Sequence, residues 1–236
     1  MDAVALDGAR VLVTGASRGY GAAVARTLAD HRAHLVLTAT DAGRLRMVAE
    51  DCLARGAVAV DVVELDLADP ESVDAAARAV GDAVPRLEGI VLNAGVLGAQ
   101  GDLLQIDPAD IQHAIAVNVA GQLRLVHRLG PLVAPGAGLV LVTSGAAGRP
   151  GRGAYGLSKG MLDVMGDMLR EEWAGHDVRV VRVNPGPVRT EMRAEAHPDE
   201  DPATVPPPSE RVAPVLAVLA GEDPGPFVEA SEWGLS

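Results

Sequence analysis

The sequence alternates short, continuous apolar runs with alanine-rich stretches of helical spacing, and this alternation most limits the folds open to the chain. The apolar runs, which we predict as β-strands, are Arg10–Thr14, Leu35–Ala39, Ala57–Glu64, Gly89–Leu92, Leu139–Thr143 and Val178–Val183. Runs without polar alternation are typical of strands covered on both faces. Helices are predicted over residues 20–32, 42–55, 70–84, 108–130, 154–174 and 209–221. This order indicates an α/β fold with a doubly wound parallel sheet flanked by helices.

A single domain is expected over residues 1–236, because the length fits one large domain and no linker or internal repeat divides the chain. The segment Ala196–Ser209 stands apart in composition, since it contains HPDEDP and then three successive prolines. Proline and acidic residues at this density favour an extended, mobile loop. A last short strand is predicted at Gly225–Glu229.

Charge and cysteine content exclude several classes of partner and compartment. The formal net charge of −12 disfavours nucleic acid and anionic membrane surfaces as partners. The amino-terminal MDAVALDGAR lacks the features of a signal peptide, and no apolar stretch is long enough to span a bilayer. A single cysteine, Cys52, cannot form an internal disulfide and fits a reducing compartment. We therefore expect a soluble cytoplasmic protein.

A glycine-rich turn, TGASRGYG at residues 14–21, joins the first predicted strand to the first helix. Gly15 suits the tight turn, Gly19 lets the backbone approach a pyrophosphate, and Gly21 lets the helix pack close to the sheet. The free amides and the helix dipole would provide an anion site. A dinucleotide site is the functional interpretation, and a plain glycine-rich β–α turn is the alternative.

Tyr155 and Lys159 lie four residues apart in a predicted helix, so their side chains share one face. Lys159 is the chain's only lysine among 20 basic residues, and Tyr155 is one of two tyrosines, which argues against an incidental pair. A phenol has an ordinary pKa of about 10. A neighbouring ammonium is expected to lower the pKa of Tyr155, which would suit it to proton transfer.

Taken in order, these motifs resemble the short-chain dehydrogenase/reductase family over residues 8–230. The matching elements are TGxxxGxG at 14–21, Asp66-Leu67, Asn93-Ala94-Gly95, Asn118, Ser144, Tyr155 with Lys159, Asn184-Pro185-Gly186, and Thr190. Leu92 replaces the first Asn of the family's NNAG element, and the 11 positions between Ser144 and Tyr155 form a tighter gap than usual. The resemblance implies a single Rossmann-like domain.

The resemblance also implies an oxidoreductase that transfers a hydride between a nicotinamide and a carbonyl or secondary alcohol. Its catalytic residues would be Asn118, Ser144, Tyr155 and Lys159, with Tyr155 as general acid/base, Ser144 polarising the oxygen, and Lys159 and Asn118 relaying the proton. A catalytically silent dinucleotide-binding regulatory or structural protein remains an alternative, as does an epimerase or dehydratase. The small-molecule substrate would be enclosed by residues 188–209, and helices 108–130 and 154–174 would pair subunits in a homodimer or homotetramer.

By the same resemblance, the cofactor-binding residues are Gly15, Ser17, Arg18, Gly19, Tyr20, Gly21, Thr40, Asp66, Leu67, Asn93, Ala94, Gly95, Tyr155, Lys159, Pro185, Gly186, Val188 and Thr190. NADP(H) is favoured over NAD(H), because the second strand ends without a carboxylate through residue 40 and Asp41 reads as a helix cap. Arg18 suits a 2′-phosphate, with Thr38, Thr40 or Arg44 in support. No metal site is expected, since His31 and His34 straddle a helix end and a strand start.

Overall fold

Seven parallel strands form one sheet in the computed structural model, which describes residues 6–234. The strands are β1 (Arg10–Thr14), β2 (His34–Ala39), β3 (Ala59–Glu64), β4 (Leu87–Leu92), β5 (Val133–Val142), β6 (Arg179–Asn184) and β7 (Phe227–Glu229). Their order across the sheet is β3-β2-β1-β4-β5-β6-β7. The winding direction reverses between β1 and β4, which opens a crevice beyond the carboxyl ends of these two strands.

Helices connect the strands, as the alternating sequence predicts. They are α1 (Gly19–Asp30), α2 (Ala42–Arg55), α3 (Pro70–Ala83), α4 (Pro108–Ile115), α5 (Gly121–Leu129), α6 (Gly153–Trp173), α7 (Glu191–Ala196) and α8 (Ala213–Leu219). Asp41 caps α2 by accepting a hydrogen bond from the Arg44 amide at 2.9 Å, so its reading as a helix cap is confirmed. Asp69 and Asp107 cap α3 and α4 in the same way, each directly before a proline.

The core lies in two aliphatic layers, one on each face of the sheet. Side chains of β1 divide between them, with Val11 and Val13 in one layer and Leu12 in the other. The first layer packs under α1, α2 and α8, and the second under α3, α5 and α6. Coverage of both faces explains why the strand sequences are continuously apolar.

The prediction of one uninterrupted helix over residues 108–130 is wrong. Between α4 and α5 the chain makes a π-helical turn, Ala116–Ala120, in which each hydrogen bond spans one residue more than in an α-helix. The turn leaves the Asn118 carbonyl to accept a hydrogen bond from the Gln122 side chain at 3.2 Å. Asn118 itself is fully buried.

The segment after β6 is more ordered than its composition suggests. The expected extended loop at 196–209 instead begins in α7 and contains 3₁₀ turns at Pro202–Thr204 and Pro208–Arg211. The predicted helix over 209–221 contracts to α8, and the last strand is shorter than Gly225–Glu229. Residues 1–5 and 235–236, which the single-domain prediction includes, lie outside the described residues. Over 6–234, no helix has the length and apolar character needed to cross a membrane.

Candidate active site

A cleft of about 940 Å³ lies along the carboxyl edge of the sheet, at the crevice where the strand order reverses. Its walls come from the segments that follow β1, β2, β3, β4, β5 and β6. All but two of the residues predicted from sequence as catalytic or cofactor-binding line this single cleft. The exceptions are Gly21 and Asn118, which support its wall from behind.

The glycine turn at 14–21 needs glycine for reasons of space as well as conformation. Gly15 has a φ of +65°, and a Cβ there would lie 2.8 Å from the Ala94 Cα. A Cβ on Gly21 would collide with the Gly15 carbonyl oxygen and with the side-chain nitrogen of Asn93, Nδ2. The turn is therefore packed directly on the segment that follows β4, and its inner face stays open to the cleft.

Thr14, the threonine of the TGxxxGxG motif, joins these two segments, although it is not among the site residues predicted from the sequence. Its hydroxyl donates to the Val91 carbonyl at 3.3 Å and accepts from the amides of Asn93 and Ala94, both at 3.0 Å. The Asn93 side chain returns a hydrogen bond to the Thr14 carbonyl at 2.9 Å. A polar residue at the end of an otherwise apolar strand was the available signal. Thr14 positions the backbone on both sides of the crevice.

Lys159 is buried beside Tyr155 on α6. Its side chain is 3% exposed, its Nζ lies 5.9 Å from the centre of the Tyr155 ring, and it donates to the Val142 carbonyl at 2.8 Å. Burial lowers the pKa of Lys159 to about 8, with Asp163 partly opposing the shift. The ammonium is thus able to exchange a proton close to neutral pH.

Tyr155 does not have the lowered pKa expected from sequence. Burial raises the pKa of the phenol above its usual 10.0, and a hydrogen bond with the Ser144 side chain partly offsets that rise. The expectation fails for the chain without cofactor, because desolvation of the phenolate outweighs the hydrogen bond with Ser144. Ser144 nevertheless lies near enough to Tyr155 to lower the pKa of the phenol, and both residues line the cleft.

Asn118 braces the cleft from the π-helical turn. Its side-chain oxygen accepts from the Val96 amide at 2.8 Å, and its amide nitrogen donates to the Val96 carbonyl at 3.0 Å and to Ser158 Oγ at 2.9 Å. A Cβ on Gly95 would lie 2.9 Å from this oxygen and 3.7 Å from Lys159 Nζ. Asn118 therefore fixes the segment after β4 next to the lysine. Ser158 was not selected from the sequence.

Tyr20 borders the cleft, yet its hydroxyl is committed elsewhere. The ring is 6% exposed and the hydroxyl donates to the Arg211 carbonyl at 2.8 Å. Burial raises the pKa of this phenol, so it stays protonated. The two tyrosines of the chain are thus in different situations: Tyr20 joins α1 to the segment before α8, and Tyr155 faces Ser144.

The polar residues at the far end of the cleft surround the glycine turn. Thr38 lies near the end of β2 and Thr40 just after it, Asp66 and Leu67 follow β3, and all four line the cleft. Asp66 accepts a hydrogen bond from the Ala68 amide at 2.9 Å, which shapes the turn after β3. On the opposite wall, after β6, lie Pro185, Gly186, Val188 and Thr190.

Cys52 and His34 lie outside this site. Cys52 is buried, and desolvation is the main cause that raises its pKa to about 11, so the thiol is unreactive at neutral pH. His34 Nε2 lies 2.6 Å from an Asp61 carboxylate oxygen across neighbouring strands. Among residues 6–234 no group of three metal-ligating side chains comes together.

Comparison with known proteins gives a consistent family. A family profile described as short chain dehydrogenase matches residues 9–201. The oxidoreductase YciK of Escherichia coli is 35% identical over 219 residues, which cover 90% of this chain and 86% of YciK. Sulfoacetaldehyde reductase 2 of Chromohalobacter salexigens is 36% identical over 187 residues, or 77% of this chain and 73% of that protein.

Solved structures agree with the sequence comparison. A short chain dehydrogenase from Escherichia coli CFT073, complexed with NADPH, superposes with a TM-score of 0.90 at 31% identity. The match covers 98% of this chain and 99% of that one. With the family profile matching residues 9–201 and these relatives covering most of the chain, the chain is a member of the short-chain dehydrogenase/reductase family of oxidoreductases.

Proposed function

We propose that this chain is an NADP(H)-dependent oxidoreductase that interconverts a carbonyl and an alcohol, with Tyr155 as the general acid/base. The observation that carries the proposal is the convergence of Tyr155, Ser144 and Lys159 at one end of a cleft whose other end is the glycine turn. A catalytically silent dinucleotide-binding protein has no need for this arrangement.

The residues along the cleft fit a nicotinamide dinucleotide. Gly15 lines the cleft in a turn packed against Ala94, and the amides that open α1 suit a pyrophosphate. The Thr38 hydroxyl is 1% exposed, borders the cleft, and has no hydrogen-bond partner within residues 6–234. A buried hydroxyl without a partner is costly, so a polar ligand group at this place would be stabilising. When bound, the cofactor would donate or accept the hydride.

The chain's own residues handle the oxygen and its proton. In the reducing direction, Tyr155 donates its phenolic proton to the carbonyl oxygen while Ser144 donates a hydrogen bond to the same oxygen. The raised pKa of Tyr155 keeps the phenol protonated before the reaction. Lys159, whose pKa lies near 8, stabilises the phenolate that forms and takes part in its reprotonation.

Preference for NADP(H) over NAD(H) is part of the proposal. Arg18 lies at the start of α1 and Arg44 in the first turn of α2, both beside the end of β2, where no carboxylate occurs before Asp41. Arginine offers a planar fork that matches a phosphate. The NADPH complex of a relative that shares this fold supports the same choice.

The substrate end of the cleft is basic in a chain that is acidic overall. Arg149 and Arg152, in the connection between Ser144 and Tyr155, line the cleft and make no ion pair with any residue from 6 to 234. Arg152 is the N-cap residue of α6, three positions before Tyr155, and both residues line the cleft. Small carbonyl compounds with an anionic group fit such an end, and one relative is a sulfoacetaldehyde reductase.

The test is a panel of aldehydes and ketones, with sulfoacetaldehyde included, followed at the absorbance of the reduced nicotinamide with NADPH and with NADH. Oxidation of NADPH is expected with at least one carbonyl. Tyr155→Phe is expected to lose about 100-fold or more of that rate while its dissociation constant for NADPH changes little. Retention of more than about a tenth of the rate would remove Tyr155 from the mechanism. NADPH binding without turnover across the panel would favour the silent alternative.

We also propose that the protein is a homo-oligomer and is located in the cytoplasm. Leu157, Met161, Val164 and Met168 form an exposed apolar row along α6, on one of the two helical segments expected to pair subunits. A homodimer or homotetramer would cover this row. The single cysteine and its reduced, buried state suit the cytoplasm.

A further inference from the structure

Two arginines at the cofactor end of the cleft share one carboxylate of the chain itself. Glu191 accepts a hydrogen bond from Arg18 Nη1, and its two oxygens lie 3.3 and 3.4 Å from Arg44 Nη1. Arg18 comes from the glycine turn, Arg44 from the first turn of α2, and Glu191 is the first residue of α7. We call these three side chains the Arg18–Arg44–Glu191 cluster.

The position of Glu191 is set by the backbone around it. Thr190 caps α7 by accepting from the Arg193 amide at 3.1 Å, and its methyl group would lie 3.3 Å from a Cβ on Gly19. The start of α7 therefore rests against the glycine turn. A carboxylate at the next position is held within reach of both guanidinium groups.

Together with Asp41, the Arg18–Arg44–Glu191 cluster has balanced charges without a ligand. Arg44 Nε also lies 3.5 Å from the Asp41 carboxylate, so two cations face two anions. The hydrogen bond from Arg18 is the main cause that lowers the pKa of Glu191, which keeps it ionised at neutral pH. A phosphate monoester carries a charge of about −1.5 to −2. Such a phosphate would compete with the Glu191 carboxylate for the Nη1 groups of Arg18 and Arg44.

We propose that Glu191 is a specificity-determining residue that competes with the 2′-phosphate of NADP(H) for Arg18 and Arg44, and so limits the preference for NADP(H) over NAD(H). This inference rests on the NADP(H) preference in the proposed function. Because the 2′-hydroxyl of NAD(H) carries no charge, its binding does not require Glu191 to leave. The Glu191 carboxylate thus weakens binding of NADP(H) and leaves binding of NAD(H) unchanged.

The expected effect of Glu191 on cofactor affinity is small, because the side chains involved are exposed to solvent. Arg18 and Glu191 are 60% and 59% exposed in their side chains, and exposed pairs gain little from the ionic contact. We expect removal of the Glu191 charge to tighten binding of a 2′-phosphate about three- to tenfold. High salt screens such contacts, so the gain is expected to shrink as ionic strength rises.

Equilibrium binding of two adenosine nucleotides tests the inference without turnover. Adenosine 2′,5′-bisphosphate carries the 2′-phosphate, and adenosine 5′-monophosphate lacks it. Calorimetric titrations would compare the wild-type protein with Glu191→Gln and with Glu195→Gln. Glu195 lies on α7 too, is exposed, and makes no ion pair in the described part of the chain, so it is a matched control.

The expected result is a three- to tenfold lower dissociation constant of Glu191→Gln for the bisphosphate, at about 50 mM salt, and less than a twofold change for the monophosphate. Glu195→Gln should match the wild type for both. If the wild type prefers the bisphosphate and Glu191→Gln changes neither constant, or both equally, the inference is wrong and the proposed function stands. If the wild type and both variants each bind the two nucleotides with equal dissociation constants, the proposed NADP(H) preference is wrong. The inference about Glu191 is then wrong as well.

Discussion

The ammonium of Lys159 donates a hydrogen bond to the Val142 carbonyl at 2.8 Å, at the end of the strand that leads to Ser144. One lysine thus joins the strand that presents Ser144 to the helix that presents Tyr155. Because Lys159 is 3% exposed, the chain pays a desolvation cost to keep it there. That cost can be measured through its dependence on pH.

The first prediction concerns the stability of the protein without cofactor as a function of pH. The Lys159 pKa is about 8 in the folded chain and near 10.5 in the unfolded one, so between these values the unfolded chain holds more protons. The unfolding free energy of the wild type, relative to Lys159→Met, should therefore rise with pH over this interval. The full rise is about 3 kcal/mol, since one pKa unit corresponds to about 1.4 kcal/mol.

Urea unfolding of the two proteins at pH 7, 8, 9 and 10 measures that difference. Tyr155 and every other titrating group is common to both proteins, so their contributions largely cancel. A difference that is flat across this range would mean that Lys159 keeps an ordinary pKa in the folded chain.

The second prediction concerns the packing of the glycine turn. Gly21→Ala should lower the unfolding free energy by about 1–3 kcal/mol, because the added methyl group meets the Gly15 carbonyl and the Asn93 side chain. Gly130→Ala is the matched control, since a Cβ at Gly130 meets nothing within 4 Å and its φ is −45°. Urea unfolding of both variants gives the comparison. Equal stabilities would show that the turn has room for a side chain.

The third prediction concerns Ser144. Ser144→Ala should lower kcat about 100-fold, because the hydroxyl stabilises negative charge on the substrate oxygen, and should leave the dissociation constant for NADPH within about twofold. Steady-state rates and a fluorescence titration with NADPH separate the two effects. An equal loss in cofactor affinity would instead assign Ser144 to the shape of the cleft.

The fourth prediction concerns the apolar row along α6. Val164→Arg should dissociate the proposed homo-oligomer at this row and lower its mass, because Val164 is 60% exposed at the middle of the row and an arginine there would be buried without a partner. Met47→Arg, on α2 and 70% exposed, should leave the oligomeric state unchanged. Light scattering after gel filtration gives the masses. A monomeric wild type would contradict the prediction at once.

Much of the fold follows from local sequence because both faces of the sheet are covered. Continuous apolar runs then mark the strands, and capping residues such as Asp41, Asp69 and Asp107 mark where helices begin. The members of the cleft could also be selected, since the carboxyl ends of parallel strands meet at one edge. In each of these cases the signal lies within a few residues of the feature.

The features that could not be predicted from the sequence depend on contacts between distant segments. Glu191 meets Arg18 across 173 positions, and no local pattern announces that pairing. The raised pKa of Tyr155 comes from burial by several elements, so the phenol and ammonium considered alone gave the opposite direction. In the proline-rich segment after β6, the Pro206 carbonyl accepts a hydrogen bond from the Arg189 amide at 2.9 Å, a contact that composition does not reveal.

The π-helical turn at Ala116–Ala120 determines which side chains of α5 face the cleft. Straightening it into α-helix with all five residues kept would merge α4 and α5 into one regular helix. That repair would rotate one end of the helix against the other by about 100°, as each residue turns an α-helix by that angle. Asn118 would then lose Val96 and Ser158 together. A regular helix at this position would therefore disrupt the wall of the cleft, and substitutions that remove the π-helical turn should be selected against.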